Sequence, residues 1–351
     1  MRIEQLTFTR FIAAMAIVFF HFGKPLNVFS QPFIHNLLIQ ANIGVSYFFI
    51  LSGFVMIIAY GRKSKVHPFS YMKNRFARIY PVYLLAIIGM KLFLRVSENE
   101  TYPSTDVFLN VFALQSWIPA KAMSVNFPGW SLSVEFLFYA LFPLLFNYFY
   151  RKFDLKKLLL PTIILWLFSQ LFFHWALEGY FRLGSDKYTE NFLFYFPLMH
   201  LNQFILGNIA GLFFINHLKN RAKNYDWMVA LISIAIIGAL TFRPDINYHN
   251  GLLAVLFVPF IIFTAMNTGW ISRISTHKIA VYLGEISYGI YILQIPVYLF
   301  TKYFLGKMGI TGDLKIFIGG IAILLIFSAL SYHFIETPLR EKIKKTRFSF
   351  K

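Results

Sequence analysis

The chain has 351 residues and no cysteine, and only 14% of its residues are charged. Without thiols it can hold no disulfide, no cysteine nucleophile and no zinc–thiolate centre. There is no internal repeat, low-complexity tract or Gly/Ser linker, and the longest stretch outside the apolar blocks, 96–128, is too short for a second domain. One membrane domain is therefore expected over residues 1–351, with a core of about 3–338 and a basic tail at 339–351. Acidic residues are scarce too: 15 Asp and Glu against 33 Lys and Arg leave a net charge of +18.

Apolar residues are what the chain has in abundance, 58% of the total, with a mean hydropathy of +0.59. They gather in ten blocks near 6–22, 42–60, 79–95, 129–149, 157–177, 192–215, 227–242, 251–267, 280–303 and 314–335. Each is close to the length of a helix that crosses a hydrocarbon core, and too long and uniform for the alternating strands of a barrel. The expected fold is all-α, a polytopic integral membrane protein of about ten transmembrane helices. The first block lacks a small-residue cleavage site, so it is read as a retained span and not a signal peptide. With the N-terminus inside, 23 of the 33 Lys and Arg fall on inner segments, and the positive-inside bias puts both termini in the cytoplasm. The basic residues cluster at span ends, not in one arm, so topology and anionic lipid account for the charge and no nucleic-acid partner is implied.

Polar groups inside these blocks carry the chemistry. His21 and Arg10 lie in the first span, where such groups are costly and read as functional or paired. The Ser52-Gly53 pair in the second permits close helix packing or a local break lining a cavity. Arg75 and Arg78, spaced i and i+3, share a helical face as the third span begins; they serve either as two forks for phosphates or as interface anchors. In the fourth span Glu135 has Ser131 and Tyr139 one turn to either side. A carboxylate at that depth protonates or finds a partner, and His21 is the leading candidate. The pair is then either a polar lock between helices or a histidine base oriented by a carboxylate. His200, with Asn202 and Gln203, either lines the same cavity or makes an interhelical hydrogen bond. The other histidines, His249 among them, fall in loops or near span ends, and no metal-ligand spacing occurs.

Taken in order, these segments resemble the bacterial membrane acyltransferase-3 family. The opening Leu6-Thr7-Phe8-Thr9-Arg10 with His21, the block Phe48-Phe49-Ile50-Leu51-Ser52-Gly53-Phe54 and the Arg75/Arg78 pair before Pro81 match its first three blocks. Trp130-Ser131-Leu132-Ser133-Val134-Glu135, Gly284-Glu285-Ile286-Ser287-Tyr288-Gly289 and Phe334-Ile335-Glu336-Thr337-Pro338 match the rest. Two departures stand out: Gln294 occupies the place of a frequent histidine, and Thr7 replaces a frequent aspartate.

The resemblance implies an acyltransferase that moves an acyl group, usually acetyl, from cytoplasmic acyl-coenzyme A to a hydroxyl of an exopolysaccharide, O-antigen or other envelope glycan. The protein would sit in the bacterial inner membrane and bind acyl-coenzyme A as co-substrate, with no bound cofactor and no metal. His21 and Glu135 are the expected catalytic pair, and Arg10, Arg75 and Arg78 the expected donor site. Ser52, Trp130, Ser131, Tyr139, Tyr288 and Gln294 are expected to shape the pocket or contact the acceptor. Expected partners are a glycan or lipid-linked sugar, the bilayer and polysaccharide-assembly machinery. Alternatives are a lipid or small-molecule acceptor, a succinyl donor, and, in another class, a glycan or lipid transporter, whose paired repeats the sequence lacks.

Overall fold

Hydrocarbon offers the backbone no hydrogen-bond partner, so long apolar blocks close their bonds internally as helices. The computed structural model, which describes residues 3–184, 186–243 and 245–346, is helical, with no strand among those residues. Eight stretches among them are long and apolar enough to cross a membrane: 5–23, 32–60, 68–97, 127–150, 155–181, 187–218, 278–307 and 313–345. The other two expected spans are shorter apolar helices of 17 and 13 residues, about 25 and 20 Å long at 1.5 Å per residue. Arg2 and the basic residues at 347–351, part of the charge pattern, lie outside the described residues.

In chain order the helices are α1 (Gln5–Val18), α2 (Pro32–Ile39), α3 (Gly44–Tyr60), α4 (Pro68–Ser97), α5 (Ser104–Val111), α6 (Trp130–Leu145), α7 (Leu155–Leu183) and α8 (Lys187–Tyr195). They continue with α9 (Leu201–Phe213), α10 (Asp226–Phe242), α11 (Ala254–Met266), α12 (Trp270–Ser275), α13 (Lys278–Lys307), α14 (Asp313–Ser331) and α15 (Thr337–Lys345). Single π-helical turns follow α1, α6, α9 and α14, at Phe19–Gly23, Phe146–Tyr150, Phe214–Leu218 and Tyr332–Glu336. Of the described residues, those within 1–66 and 144–285 form one compact unit, and those within 67–143 and 286–346 form a second.

In the first unit α3 and α9 cross at backbone contact. A Cβ on Gly53 would collide with the Phe204 carbonyl oxygen, and one on Gly207 with that of Ile50. Of the two readings of the Ser52-Gly53 pair, close packing is what the structure displays. The core continues through Phe54, Phe214, Tyr47 and Phe257. Gln5 anchors the start of α1 by donating to the Asn267 carbonyl (3.3 Å) and to Ser272 (3.1 Å). Gly284 is pressed against the backbone of Thr7, where a side chain would strike the carbonyl. By contrast α7 turns Leu160, Ile164, Phe168, Leu171 and Trp175 outward. Such an apolar stripe is untenable in water and ordinary in lipid.

The second unit is built round aromatic rings. Tyr71 stacks on Phe142 with centroids 5.3 Å apart, and Tyr83 and Phe138 are fully enclosed. Its long connection, 98–126, is ordered by polar contacts: Lys121 pairs with Asp106 at 2.6 Å, and Tyr83 donates to the Asn110 carbonyl at 2.7 Å.

Candidate active site

The first unit holds Arg10, His21 and Ser52. On α1, Thr9 donates to the Leu6 carbonyl (3.0 Å), which leaves its oxygen to accept from Tyr47 of α3 at 2.5 Å. Arg10, half-buried beside it, lies within electrostatic reach of Tyr47. His21 sits in the π-turn that ends this span, where the i to i+4 bonding pattern is interrupted. Such turns recur at functional sites because they re-aim one side chain. His21 is partly buried, its ring and that of Phe20 meet edge to face with centres 5.0 Å apart, and Lys24 Nζ lies 4.4 Å from the Phe20 ring centre. Ser52 is buried on α3 beside the Gly53 crossing.

The same unit contains a buried histidine pair that sequence reasoning missed. His200 and His249, with ring centres 5.4 Å apart, both direct Nε2 to the carbonyl of Phe194, at 2.9 and 2.8 Å. Gln203 donates to His200 Nδ1 at 2.9 Å, and Asn42 reaches His249 Nδ1 at 3.4 Å. His200 thus bonds to Phe194 and Gln203 in its own segment, while its ring meets that of Phe49 of α3 at 5.3 Å. His249 lies in the connection between α10 and α11, and burial lowers its pKa to about 4. Ser46, Gln170 and Trp166 fix that connection by donating to the carbonyls of His249, Asn250 and Gly251. Only an isolated loop histidine is visible in sequence, because its partner is 49 positions away.

The second unit gathers Arg75, Arg78, Trp130, Ser131, Glu135, Tyr139, Tyr288 and Gln294. Tyr139 donates a hydrogen bond to Glu135, and Arg75 and Arg78 are both within electrostatic reach of that tyrosine. The Arg75 guanidinium lies over the Tyr71 ring, 5.5 Å from its centre, and the Tyr71 and Tyr139 rings meet edge to face at 6.4 Å. A carboxylate in an apolar unit needs cations and donors to stay ionised, and this arrangement supplies both. Tyr288 donates to the Ile79 carbonyl at 2.9 Å and has Glu135 and the buried Glu336 within electrostatic reach. Glu336 was visible only as part of the closing motif; its burial beside Tyr288 is a tertiary fact.

A second polar knot in this unit joins the opening of α6 to α13. Tyr291 bonds the Pro128 carbonyl (3.0 Å) and Ser131 (2.9 Å), and Asn126 donates to the Ile292 carbonyl (3.0 Å). Gln115 donates to the Gly129 carbonyl at 2.8 Å. Gln294 donates to the Tyr291 carbonyl at 2.6 Å, while its own carbonyl oxygen is fully buried with no hydrogen-bond partner. The amide oxygens of Gln115 and Asn126 in the same knot are likewise buried with no hydrogen-bond partner, so the feature belongs to the knot as a whole. Trp130 is buried at the start of the same helix.

Fold and site together define a polytopic membrane protein with two polar centres sunk in apolar helices. A family model described as an acyltransferase domain matches residues 3–333, and the chain belongs to this family, the acyltransferase-3 family. It is 31% identical over 167 residues to the acyltransferase MdmB of Streptomyces mycarofaciens, covering 45% of this chain and 42% of that protein. It is 24% identical over 334 residues to the O-acetyltransferase OatA of Staphylococcus aureus, covering 86% of this chain and 53% of that one. The chain thus spans about half the length of these relatives. No solved structure matches it significantly. No group of three or more metal-ligating side chains occurs among the described residues.

Proposed function

We propose that the protein moves an acyl group, acetyl in the first instance, from acyl-coenzyme A on the cytoplasmic side of a bacterial inner membrane to a hydroxyl of an envelope glycan. The observation that carries this reading is the match of residues 3–333 to one acyltransferase family. The O-acetyltransferase relative supports acetyl as the group and oxygen as its acceptor. The excess of basic residues on alternate connections supports the orientation, with both termini inside.

In this reading Arg75 and Arg78 hold the phosphates of the donor, as guanidinium forks suit such oxygens. Glu135 and Tyr139 fix the inward end of that cationic patch. Arg10 adds a further positive charge in the first unit. His21 takes the proton from the acceptor hydroxyl as its oxygen attacks the thioester carbonyl, a role worth about 10²–10⁴ in rate. The C–O bond forms as the C–S bond breaks, and coenzyme A leaves as the thiol once it gains a proton. In the second unit Trp130, Ser131, Tyr288 and Gln294 contribute polar and aromatic surface to acceptor binding; in the first, Ser52 lies at the α3–α9 crossing.

Sealed vesicles of both orientations test the reading. Acetyl-coenzyme A supplied to inside-out vesicles should acetylate the glycan, and the same donor outside right-side-out vesicles should not. Transfer from the outer face alone would refute the proposed orientation. Absence of transfer from acetyl, succinyl and longer donors, with folded protein present, would refute the reaction.

A further inference from the structure

Helix α15 follows the 3–333 segment that the family model matches, yet it is built into the second unit. It packs along α4, and Lys73 of α4 fastens its end by donating to the main-chain carbonyls of Lys344, at 3.0 Å, and Thr346. Arg340 and Lys344 are four residues apart and so share a helical face. Lys344 lies within electrostatic reach of Arg340, Arg75 and Arg78, and of one carboxylate, Glu341. Arg340 is half-buried and Lys344 exposed, so the cluster opens to solvent.

Five cationic side chains, Lys73, Arg75 and Arg78 of α4 and Arg340 and Lys344 of α15, are therefore gathered where the two helices pack. Like charges at i and i+4 repel, and bringing two more from a neighbouring helix adds to the cost. The Lys73 main-chain bonds hold α15 in place against that repulsion. Even with Glu135 reaching the arginine side through Tyr139 and Glu341 beside Lys344, positive charge is in excess, which suits an anion with several oxygens: guanidiniums grip phosphate bidentately, and the lysine adds a mobile point charge. Plain lipid anchoring would be served by basic residues anywhere along the interface. It does not require Lys73 to fix the C-terminal helix over Arg75 and Arg78.

We propose that Arg340 and Lys344 of α15 complete, with Arg75 and Arg78, a binding site for the phosphate groups of a phosphorylated ligand, the coenzyme portion of the acyl donor. That assignment of source rests on the function proposed above; the phosphate chemistry rests on the cluster. α15 then acts as the outer wall of the donor site.

The test uses the full-length protein in nanodiscs, either zwitterionic or rich in anionic lipid. Equilibrium binding of adenosine 3′,5′-bisphosphate and the KM for acetyl-coenzyme A are measured for wild type, R340Q/K344Q, the charge-conserving R340K/K344R, and K152Q/K156Q, which removes two charges elsewhere. R340Q/K344Q should weaken both quantities about tenfold or more in either lipid, the scale of losing one or two charge-assisted hydrogen bonds, with kcat within about twofold. R340K/K344R should retain most of the binding, which separates lost charge from misfolding, and K152Q/K156Q should match wild type.

Unchanged bisphosphate binding, with loss only of co-purifying anionic lipid, would keep the phosphate site and overturn the coenzyme as its source. Unchanged binding of both, or equal losses in K152Q/K156Q, would overturn the site. A wild type that binds the bisphosphate through these residues but transfers no acyl group would instead refute the proposed reaction alone.

Discussion

The hydroxyl of Tyr139 donates to the Glu135 carboxylate one turn earlier on α6, and Arg75 and Arg78 of α4 act on the same tyrosine. The relationship ties the glutamate of one motif to the arginine pair of another inside a single unit. It predicts unequal effects of two substitutions at Glu135. Glu135→Ala removes the acceptor of buried Tyr139 and a carboxylate beside two half-buried arginines, and should destabilise the protein by about 1–3 kcal/mol. Glu135→Gln keeps a hydrogen-bond acceptor for Tyr139 and should fold better, yet lose most donor affinity as the arginines relax. Thermal melting and donor KM, measured on both, check this; equal melting temperatures would contradict it.

Gln294 gives a prediction of opposite sign. Its buried carbonyl oxygen has no hydrogen-bond partner, and leaving such a group unpaired costs about 1–3 kcal/mol. Gln294→Leu removes that cost at similar volume, so the variant should melt at least as high as wild type. If the orphan oxygen accepts from the acceptor substrate, the KM for the glycan should rise severalfold while the donor KM holds. A variant both less stable and fully active would show that the amide is only structural.

The α3–α9 crossing should tolerate no side chain at its closest point. Gly53→Ala puts a methyl group onto the Phe204 carbonyl, and overpacking of this kind costs about 1–3 kcal/mol. The measurement is the melting temperature in one detergent, with Gly179→Ala, where nothing lies within 4 Å, as the matched control. Equal melting of the two variants would mean that the helices can part without penalty.

His249 makes stability depend on pH in a stated direction. Burial lowers its pKa from 6.5 to about 4, so between these values the unfolded chain binds the proton and the folded one does not. Its contribution is complete above pH 6.5 and falls as the pH drops toward 4, by about 1.4 kcal/mol per unit at the steepest. His249→Gln should start less stable near pH 7.5, having lost the bond to the Phe194 carbonyl, and then decline less steeply. Parallel declines for the two proteins would remove His249 from the account.

Much of the fold was legible because the bilayer imposes a simple demand: a block such as 280–303 is long, apolar and unable to be anything but a helix. The blocks at 227–242 and 251–267 read as spans of the same kind, and they fold as shorter apolar helices. The Arg75/Arg78 face and the neighbouring positions of Glu135 and Tyr139 followed from helical spacing alone. What no local pattern carries is contact between distant segments. Gly284 against Thr7, Tyr291 against Ser131, and His200 beside His249 depend on packing that only the folded chain specifies. The π-turn that aims His21 leaves no distinct mark in composition, and the orphaned oxygen of Gln294 becomes visible only when its surroundings are filled in. The stretch from 339 read as a basic tail holds most of helix α15, which Lys73 fastens beside α4.

The central claim is that His21 is the base of an acyl transfer. Its most direct test is incubation of membranes holding equal amounts of wild type or His21→Ala with radiolabelled acetyl-coenzyme A, followed by counting label in the envelope glycan. The account predicts transfer by wild type and a loss of about 10²-fold or more in the variant. A variant rate within a few fold of wild type, at equal abundance and melting temperature, would contradict it.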